Sequence, residues 1–329
     1  MSSFFGENIK ISIFGQSHSE GMGVVIDGIP AGKKIDLEKL NKFMKRRAPG
    51  QGPHTTPRVE KDKIEFLSGI IGGITCGAPI SGIIPNENKI EKDYENIKNS
   101  PRPGHADFVA HIKYKGFEDY RGGGHFSGRL TAPLCIAGGI CIGLLEEKNI
   151  EITTEILEIG GKTSDFLNTI KEAKANGDSV GGVVRCTVKG MPVGVGEPMF
   201  NGLEGQISKA IFAIPGIKGI EFGSGFKGSR MFGSENNDEF IVDKDIIKTK
   251  TNNHGGILGG ISSGMDIVFN VAIKPTPSIG KLQDTVNYNK DEIKLKIEGR
   301  HDPSIVYRAL PCIEGATAIA LYDLICGDE

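Results

Sequence analysis

The chain has 329 residues, 39 Lys+Arg against 41 Asp+Glu and a formal net charge of -2. That balance excludes the basic excess of a dedicated nucleic-acid or acidic-membrane binder, and a 38% hydrophobic share supports a packed core. Glycine is the outlier, 47 of 329 residues, about twice its usual ~7%. With only 16 Pro and no G-X-Y period, collagen is excluded.

Asn8 to Phe14 alternates polar and apolar residues and predicts a half-buried strand. Gly23 to Asp27 predicts a second strand, closed by Gly28-Ile29-Pro30. Asp36 then caps a helix with Leu37, Leu40, Phe43 and Met44 on one face. Lys45-Arg46-Arg47 suits its C-terminus, Pro49-Gly50 stops it, and Ala48 to Arg58 reads as a loop. Ile64 to Leu67 is a further strand, whereas residues 85–125 show little periodicity and much Pro and Gly. Long irregular segments of this kind tend to be functional or disordered, and Phe108, Tyr114, Phe117 and Tyr120 argue against disorder.

The apolar run 130–145 falls short of the ~20 residues of a membrane span. It predicts a central buried helix over about Leu130 to Lys148. A weak echo follows: Gly23-Val24-Val25-Ile26 and Gly182-Val183-Val184-Arg185 each precede a Gly-Pro turn and a helix, the second near Leu203 to Phe212. Two β-β-α halves and chance likeness both account for it. Ile267 to Ile273 is another strand. Strands follow one another without regular β-α alternation, so one α+β domain over 1–329 with antiparallel sheets is expected. The start of the chain lacks the layout of a secretory leader. The six Cys form no C-x-x-C pair and read as reduced, buried thiols of a cytoplasmic protein; no metal site is expected.

The chemistry gathers in loops. Of seven His, five lie in turn-forming surroundings: His18, His105, His125, His254 and His301. Such loops let backbone approach a ligand closely, and His moves protons near neutral pH. Arg46, Arg47, Arg102, Arg121, Arg129, Arg300 and Arg308 recur in or beside them. Arg beside glycine turns suits bidentate recognition of phosphate or carboxylate, with solvated surface charge as the plainer reading. The glycine runs fit a phosphate cradle, although neither G-x-x-x-x-G-K-[ST] nor a strand-anchored G-x-G-x-x-G is present. Lys274-Pro275-Thr276-Pro277-Ser278 adds a cation and hydroxyls after a strand. Together these residues predict an enzyme for a small, highly anionic substrate, without fixing the reaction.

The loops also carry a resemblance. Phe14-Gly15-Gln16-Ser17-His18, Arg102-Pro103-Gly104-His105-Ala106-Asp107, Asp119-Tyr120-Arg121-Gly122-Gly123-Gly124, Asn253-His254 to Gly264, Lys274-Pro275-Thr276-Pro277-Ser278-Ile279 and Gly299-Arg300-His301-Asp302-Pro303 follow in order. With these motifs the sequence closely resembles the chorismate synthase family from end to end. The resemblance implies a β-α-β sandwich, with helices between two antiparallel four-stranded sheets, assembled as a homotetramer. It implies an anti-1,4-elimination of phosphate from 5-enolpyruvylshikimate 3-phosphate, giving chorismate in the shikimate pathway. The reaction has no net redox change yet requires reduced FMN.

By the same matching, His18 would protonate the flavin or help phosphate depart, His105 would protonate reduced flavin at N1, and Asp302 would assist proton removal through flavin N5. Arg47, Arg129, Arg300 and Arg308 would contact the anionic substrate. Flavin contacts would come from His125, Phe126, Ser127, Pro215, Gly216, Asn253, His254, Gly259, Lys274, Pro275, Thr276, Pro277, Ser278 and Arg300.

The chain departs from the family pattern at Ser19 (usually Gly), Ala48 (Arg) and Pro53 (Arg), at His125-Phe126 within the glycine-rich motif, and at Pro215-Gly216, where a polar pair is usual. Loss of Arg at Pro53 weakens any nicotinamide site, so NADPH would act only indirectly as reductant. Some members of the family reduce their own flavin, whereas this short sequence shows no added reductase domain, so a separate flavin reductase is expected as a partner, with neither nucleic acid nor membrane. Two rival readings of the same residues are a flavoprotein oxidoreductase with net hydride transfer and a non-enzymatic phosphate-ligand binder.

Overall fold

A computed structural model describes residues 3–50, 62–86, 97–297 and 302–327. The first sheet contains β1 (Phe4–Phe5), β2 (Lys10–Gly15), β3 (Gly21–Asp27), β4 (Glu65–Ser68) and β5 (Ile80–Pro85). Its order is β1-β2-β3-β5-β4, antiparallel throughout. β2 buries Ile11 and leaves Lys10, Ser12 and Phe14 exposed, the period-2 pattern of a sheet with one face on the core. The second sheet contains β6 (Glu151–Ile159), β7 (Gly182–Lys189), β8 (Ile217–Phe222) and β9 (Ile267–Ile273), ordered β8-β9-β7-β6 and again antiparallel. The expected pair of four-stranded sheets is present, with the two-residue β1 added at one edge.

Four helices form the layer between them: α1 (Leu37–Arg47), α3 (Thr131–Glu146), α5 (Leu203–Ile211) and α6 (Val306–Gly327). Outside this layer lie α2 (Asp107–Tyr114) and α4 (Phe166–Ala175). α3 packs on β3 and β5, α6 packs on β6 and β7, and the two helices pack on each other. With the helical turn that precedes it from Gly128, α3 reaches 19 residues, so contrary to the sequence expectation both it and α6 are long and apolar enough to cross a membrane by length and composition, but most of each lies inside the protein. One cluster of buried apolar side chains runs through both sheets and this layer.

α1 forms as its sequence predicts. Asp36 accepts a hydrogen bond from the Lys39 backbone N–H at 2.9 Å, Leu40, Phe43 and Met44 are buried, and Lys45, Arg46 and Arg47 occupy the last turn. In α3, Gly138 and Gly139 answer to packing. A Cβ on Gly138 would lie 2.3 Å from the Gly315 Cα of α6, and one on Gly139 would lie 2.5 Å from the Leu40 side chain. Gly143 has open space. The amino-terminal segment is tied to α6 by Asp323, which accepts from the backbone N–H of Glu7, Asn8 and Ile9 at 2.8–3.0 Å.

Several elements have no counterpart in the sequence reading. β5, β6, α4, β8 and α6 fall outside its assignments, and α2 lies inside the stretch read as irregular. α2 buries only Ala110 and exposes Phe108, Val109 and Ile112, so it carries no amphipathic signal. α6 is buried nearly all round and contains Pro311, so neither periodicity nor a polar face marks it. Four cysteines are buried, as expected, whereas Cys76 is exposed and Cys326 only partly buried.

Candidate active site

The loops at one end of the helical layer enclose a cavity of about 610 Å³, within the ordinary range for small-molecule sites. Of the site residues expected from sequence, His105, His125, Phe126, Ser127, Arg47, Arg129, Pro215, Gly216, Lys274, Pro275, Thr276, Pro277, Ser278, Asp302 and Arg308 line it. Segments far apart in the chain thus meet on one wall.

The turn Gly122-Gly123-Gly124 organises the two candidate proton carriers. All three glycines have positive φ (59°, 81° and 53°), which L side chains rarely adopt. A Cβ on Gly122 would sit 2.5 Å from His18 Cε1, and one on Gly123 would sit 2.9 Å from His105 Cε1. Only bare backbone lets both rings close on this turn. The Ser17 N–H donates to the Gly124 carbonyl at 3.1 Å, which ties the His18 loop to it. His18 is itself buried behind Gly122, and its neighbour Ser17 reaches the cavity wall.

His105 is held from its Nδ1 side. Asp107 Oδ1 lies 2.5 Å from Nδ1, and Asp107 is gripped by Arg102 through Nε at 2.7 Å and Nη2 at 2.8 Å. A carboxylate only accepts, so Nδ1 carries the proton and Nε2 presents its lone pair. Arg102 Nη2 also lies 3.0 Å from Nδ1, but two donors cannot satisfy each other, and the guanidinium pairs with Asp107. Burial pushes the His105 imidazole below its ordinary pKa; Arg102 and Lys274 push the same way, against Asp107. Burial works against ionised Asp107, but Arg102 and His105 outweigh it and hold the carboxyl well below its usual range. Asp107 is a positioning residue that the sequence presented only as part of a motif.

The cationic wall is equally ordered. Arg47 and Arg129 both pair with the buried Asp62, Arg47 at 2.5 Å. Arg47 Nε also donates to Thr131 Oγ1 at 3.2 Å. Arg308 pairs with Asp302 at 2.5 Å and donates through Nε to the Arg47 carbonyl at 3.0 Å. Asp62 and Thr131 join the candidate site without a sequence signal; neither lies in a motif, and only folding sets them against the arginines. Lys274 donates to the Gly104 carbonyl at 2.5 Å, and burial with nearby Lys218 pushes its ammonium pKa down. Arg102 Nη1 donates to Ser278 Oγ at 3.2 Å.

Other candidates lie elsewhere. Arg46, half-exposed, makes a two-pronged pair with the buried Glu314 at 2.6 and 2.7 Å, away from the cavity. Arg121 pairs with Asp119 at 2.8 Å. Asn253, His254 and Gly259 do not line the cavity of this chain. His254 instead sits 3.6 Å from Asp238. The glycines around it fit close backbone crossings: a Cβ on Gly223 would lie 2.0 Å from the Asn253 carbonyl oxygen. Arg300, His301 and Pro53 lie outside the described residues.

One observation tests whether the wall suits a flavin. Thr276 Oγ1 is buried at the cavity wall without a hydrogen-bond partner. It stands among the hydroxyls and cations of Lys274–Ser278, beside apolar Pro215, Pro277 and Ile305. A polar, partly aromatic group with an anionic tail matches that wall.

The model of the family described as chorismate synthase matches residues 9–326. A chorismate synthase of Dehalococcoides mccartyi strain BAV1 is 46% identical, covering 98% of this chain and 96% of that protein. One from Methanocaldococcus jannaschii is 44% identical, covering 98% and 95%. A crystal structure of chorismate synthase superposes with a TM-score of 0.78 at 27% identity, covering 98% of this chain and 93% of that one. With residues of several motifs meeting at one cavity and matches spanning nearly the whole chain, the protein belongs to the chorismate synthase family.

Proposed function

We propose that the cavity converts 5-enolpyruvylshikimate 3-phosphate to chorismate and phosphate, with reduced FMN held against Lys274–Ser278, His125–Ser127 and Pro215-Gly216. The observation that supports this most is the arrangement of Arg47, Arg129 and Arg308 around one cavity that also holds His105. A phosphate and two carboxylates require several guanidiniums, because two-pronged, charge-assisted bonds offset the loss of hydration. Reduced flavin, held by Lys274–Ser278, His125–Ser127 and Pro215-Gly216, would supply electron density to the carbon framework from which phosphate departs.

The chain's own groups bind, orient and move protons. Arg47 and Arg129 are set by Asp62 before substrate arrives, so little ordering remains for binding. Their charge favours phosphate as it departs, and His18, behind Gly122, is the candidate donor to it. His105 faces the ligand with Nε2 unprotonated at neutral pH; anions in the cavity offset Arg102 and Lys274 and favour a proton there. Asp302, held by Arg308, is the candidate for assisting proton removal. Arg300 joins the set by its place in the motif, and Asn253, His254 and Gly259 would reach the cavity from a neighbouring copy.

A homotetramer is part of this reading. Phe226, Phe232, Phe240, Val242 and Ile247 stand exposed within one short stretch of chain, which suits burial between copies. Sedimentation as a monomer would remove that element. The reading also assigns the protein to the cytoplasm, with flavin reduced by a separate reductase and NADPH acting only through it. Robust aerobic turnover with NADPH and FMN alone would contradict the need for that partner. The deciding assay is anaerobic phosphate release from the enolpyruvyl substrate with reduced FMN, measured together with chorismate absorbance. Release in equal amounts without NAD(P)H consumption is expected; stoichiometric NAD(P)H consumption would indicate net hydride transfer instead.

A further inference from the structure

Two sulfurs sit where the helical layer meets the cavity. Cys135 of α3 and Cys312 of α6 have Sγ atoms 3.8 Å apart. The helices approach this closely because Gly138 and Gly315 cross backbone to backbone, each three residues after its cysteine. Of the pair, only Cys312 is on the cavity wall.

Their surroundings differ in kind. The Cys312 thiol accepts a hydrogen bond from Cys135 and donates one to the Arg308 carbonyl at 3.2 Å; the Cys135 bond and the nearby Arg47 and Arg308 charges lower its pKa against the opposing effect of burial. Burial raises the Cys135 thiol well above its ordinary range. Cys141 and Cys186 are raised by burial too, and neither lines the cavity. A thiol on a cavity wall beside two guanidiniums, with a second thiol 3.8 Å behind it, is the arrangement of an oxidant-reactive and resolving pair.

We propose that Cys312 is an oxidant-reactive thiol of the cavity wall and that Cys135 resolves its oxidised form into a Cys135–Cys312 disulfide. The Cys312 thiolate attacks one oxygen of hydrogen peroxide; the O–O bond breaks, hydroxide leaves and is protonated to water, and Cys312 becomes a sulfenic acid. Cys135 sulfur then attacks Cys312 sulfur. The S–S bond forms, the S–OH bond breaks, and the leaving hydroxide takes the Cys135 proton as a second water. Two thiols lose two electrons, and one peroxide becomes two waters. The sulfurs must close from 3.8 Å to about 2.05 Å. Disulfide formation also removes the hydrogen bond that the Cys312 thiol donates to the Arg308 carbonyl at the cavity wall. Neither step involves the ligand of the cavity, so the chemistry does not require the proposed function.

The test uses the full-length reduced protein under anaerobic conditions. Iodoacetamide should alkylate Cys312 in the native protein at least about tenfold faster than Cys141 and Cys186, as expected from thiolate character and access. Hydrogen peroxide should join the Cys135 and Cys312 peptides in mass spectra, with two of the six thiols lost and then restored by dithiothreitol. Cys135→Ser should stop at the sulfenic acid, captured by dimedone at Cys312, and Cys312→Ser should give neither product. Alkylation of Cys312 no faster than of Cys141 and Cys186, or a peroxide-formed disulfide that excludes either partner, overturns the proposal. Both readings come from the unaltered protein, so they do not depend on how the variants fold.

Discussion

Glycine meets opposite demands in the Gly122–Gly124 turn and in helix α3. In the turn the demand is conformational as well as spatial: positive φ at three successive residues, with His18 and His105 against the bare Cα atoms. In α3 the backbone is ordinary helix, and Gly138 is required only because α6 passes at Gly315. The first arrangement positions the two candidate proton carriers, and the second sets the distance between two helices of the core. Damage to the turn should therefore appear in activity, and damage to the helix crossing in stability.

The sharpest test of the turn side is Gly123→Ala beside His105→Ala. Both should lower anaerobic phosphate release by about 10²–10⁴-fold, the usual contribution of a general acid–base group. Thermal unfolding of the alanine-for-His variant should change little, and the glycine variant should lose about 1–2 kcal/mol for its left-handed backbone. Wild-type rates in Gly123→Ala would break the link between turn and site.

On the helix side, Gly138→Leu forces atoms into the Gly315 backbone, which cannot rotate away. A loss of about 1–3 kcal/mol or more in urea unfolding is expected. The fraction that remains folded should keep its turnover per molecule. Unchanged stability would show that the two helices can separate without cost.

A smaller effect separates the electrostatics of the turn from its shape. His105 has a lowered pKa, so below the ordinary His value the unfolded chain binds the proton more readily than the native one. This group therefore removes stability as pH falls through that window and has no effect at neutral pH and above. Inorganic phosphate in the cavity should offset Arg102 and Lys274 and move the His105 midpoint upward in an NMR titration. By linkage, phosphate should then bind more tightly as pH falls. A midpoint indifferent to phosphate would place the anion away from this ring.

The smallest effect comes from Gly143→Ala in the same helix as Gly138. Nothing lies within 4 Å of the added Cβ, so helix propensity alone acts and should stabilise the fold by about 0.5–1 kcal/mol. Opposite signs at Gly138 and Gly143 would show that space, not residue type, decides.

Much of the site was legible in the chain because its parts are local. Each motif carries its own turn: Gly104 before His105, the glycines at 122–124, and Pro275 and Pro277 around Thr276. Backbone conformation near Gly and Pro is set by nearest neighbours. The helix at Asp36–Arg47 was equally plain, since cap, apolar face and terminal cations all lie within it. Asp62 carried no such mark, because its meaning comes from two arginines, one 15 and the other 67 residues away. Asn253, His254 and Gly259 carried a strong motif, yet one chain does not bring them to the cavity.

The sequence by itself determined where the backbone can turn, which loops hold His and Arg, and that one long apolar helix must be buried, because these follow from sterics and hydrophobicity of adjacent residues. Only the tertiary structure decided that α6 is the partner of α3, that Asp62 joins Arg47 to Arg129, and that Cys135 faces Cys312. Those facts depend on distances between residues remote in the chain. Such distances are fixed when both sheets close on the helical layer and water is driven from between them.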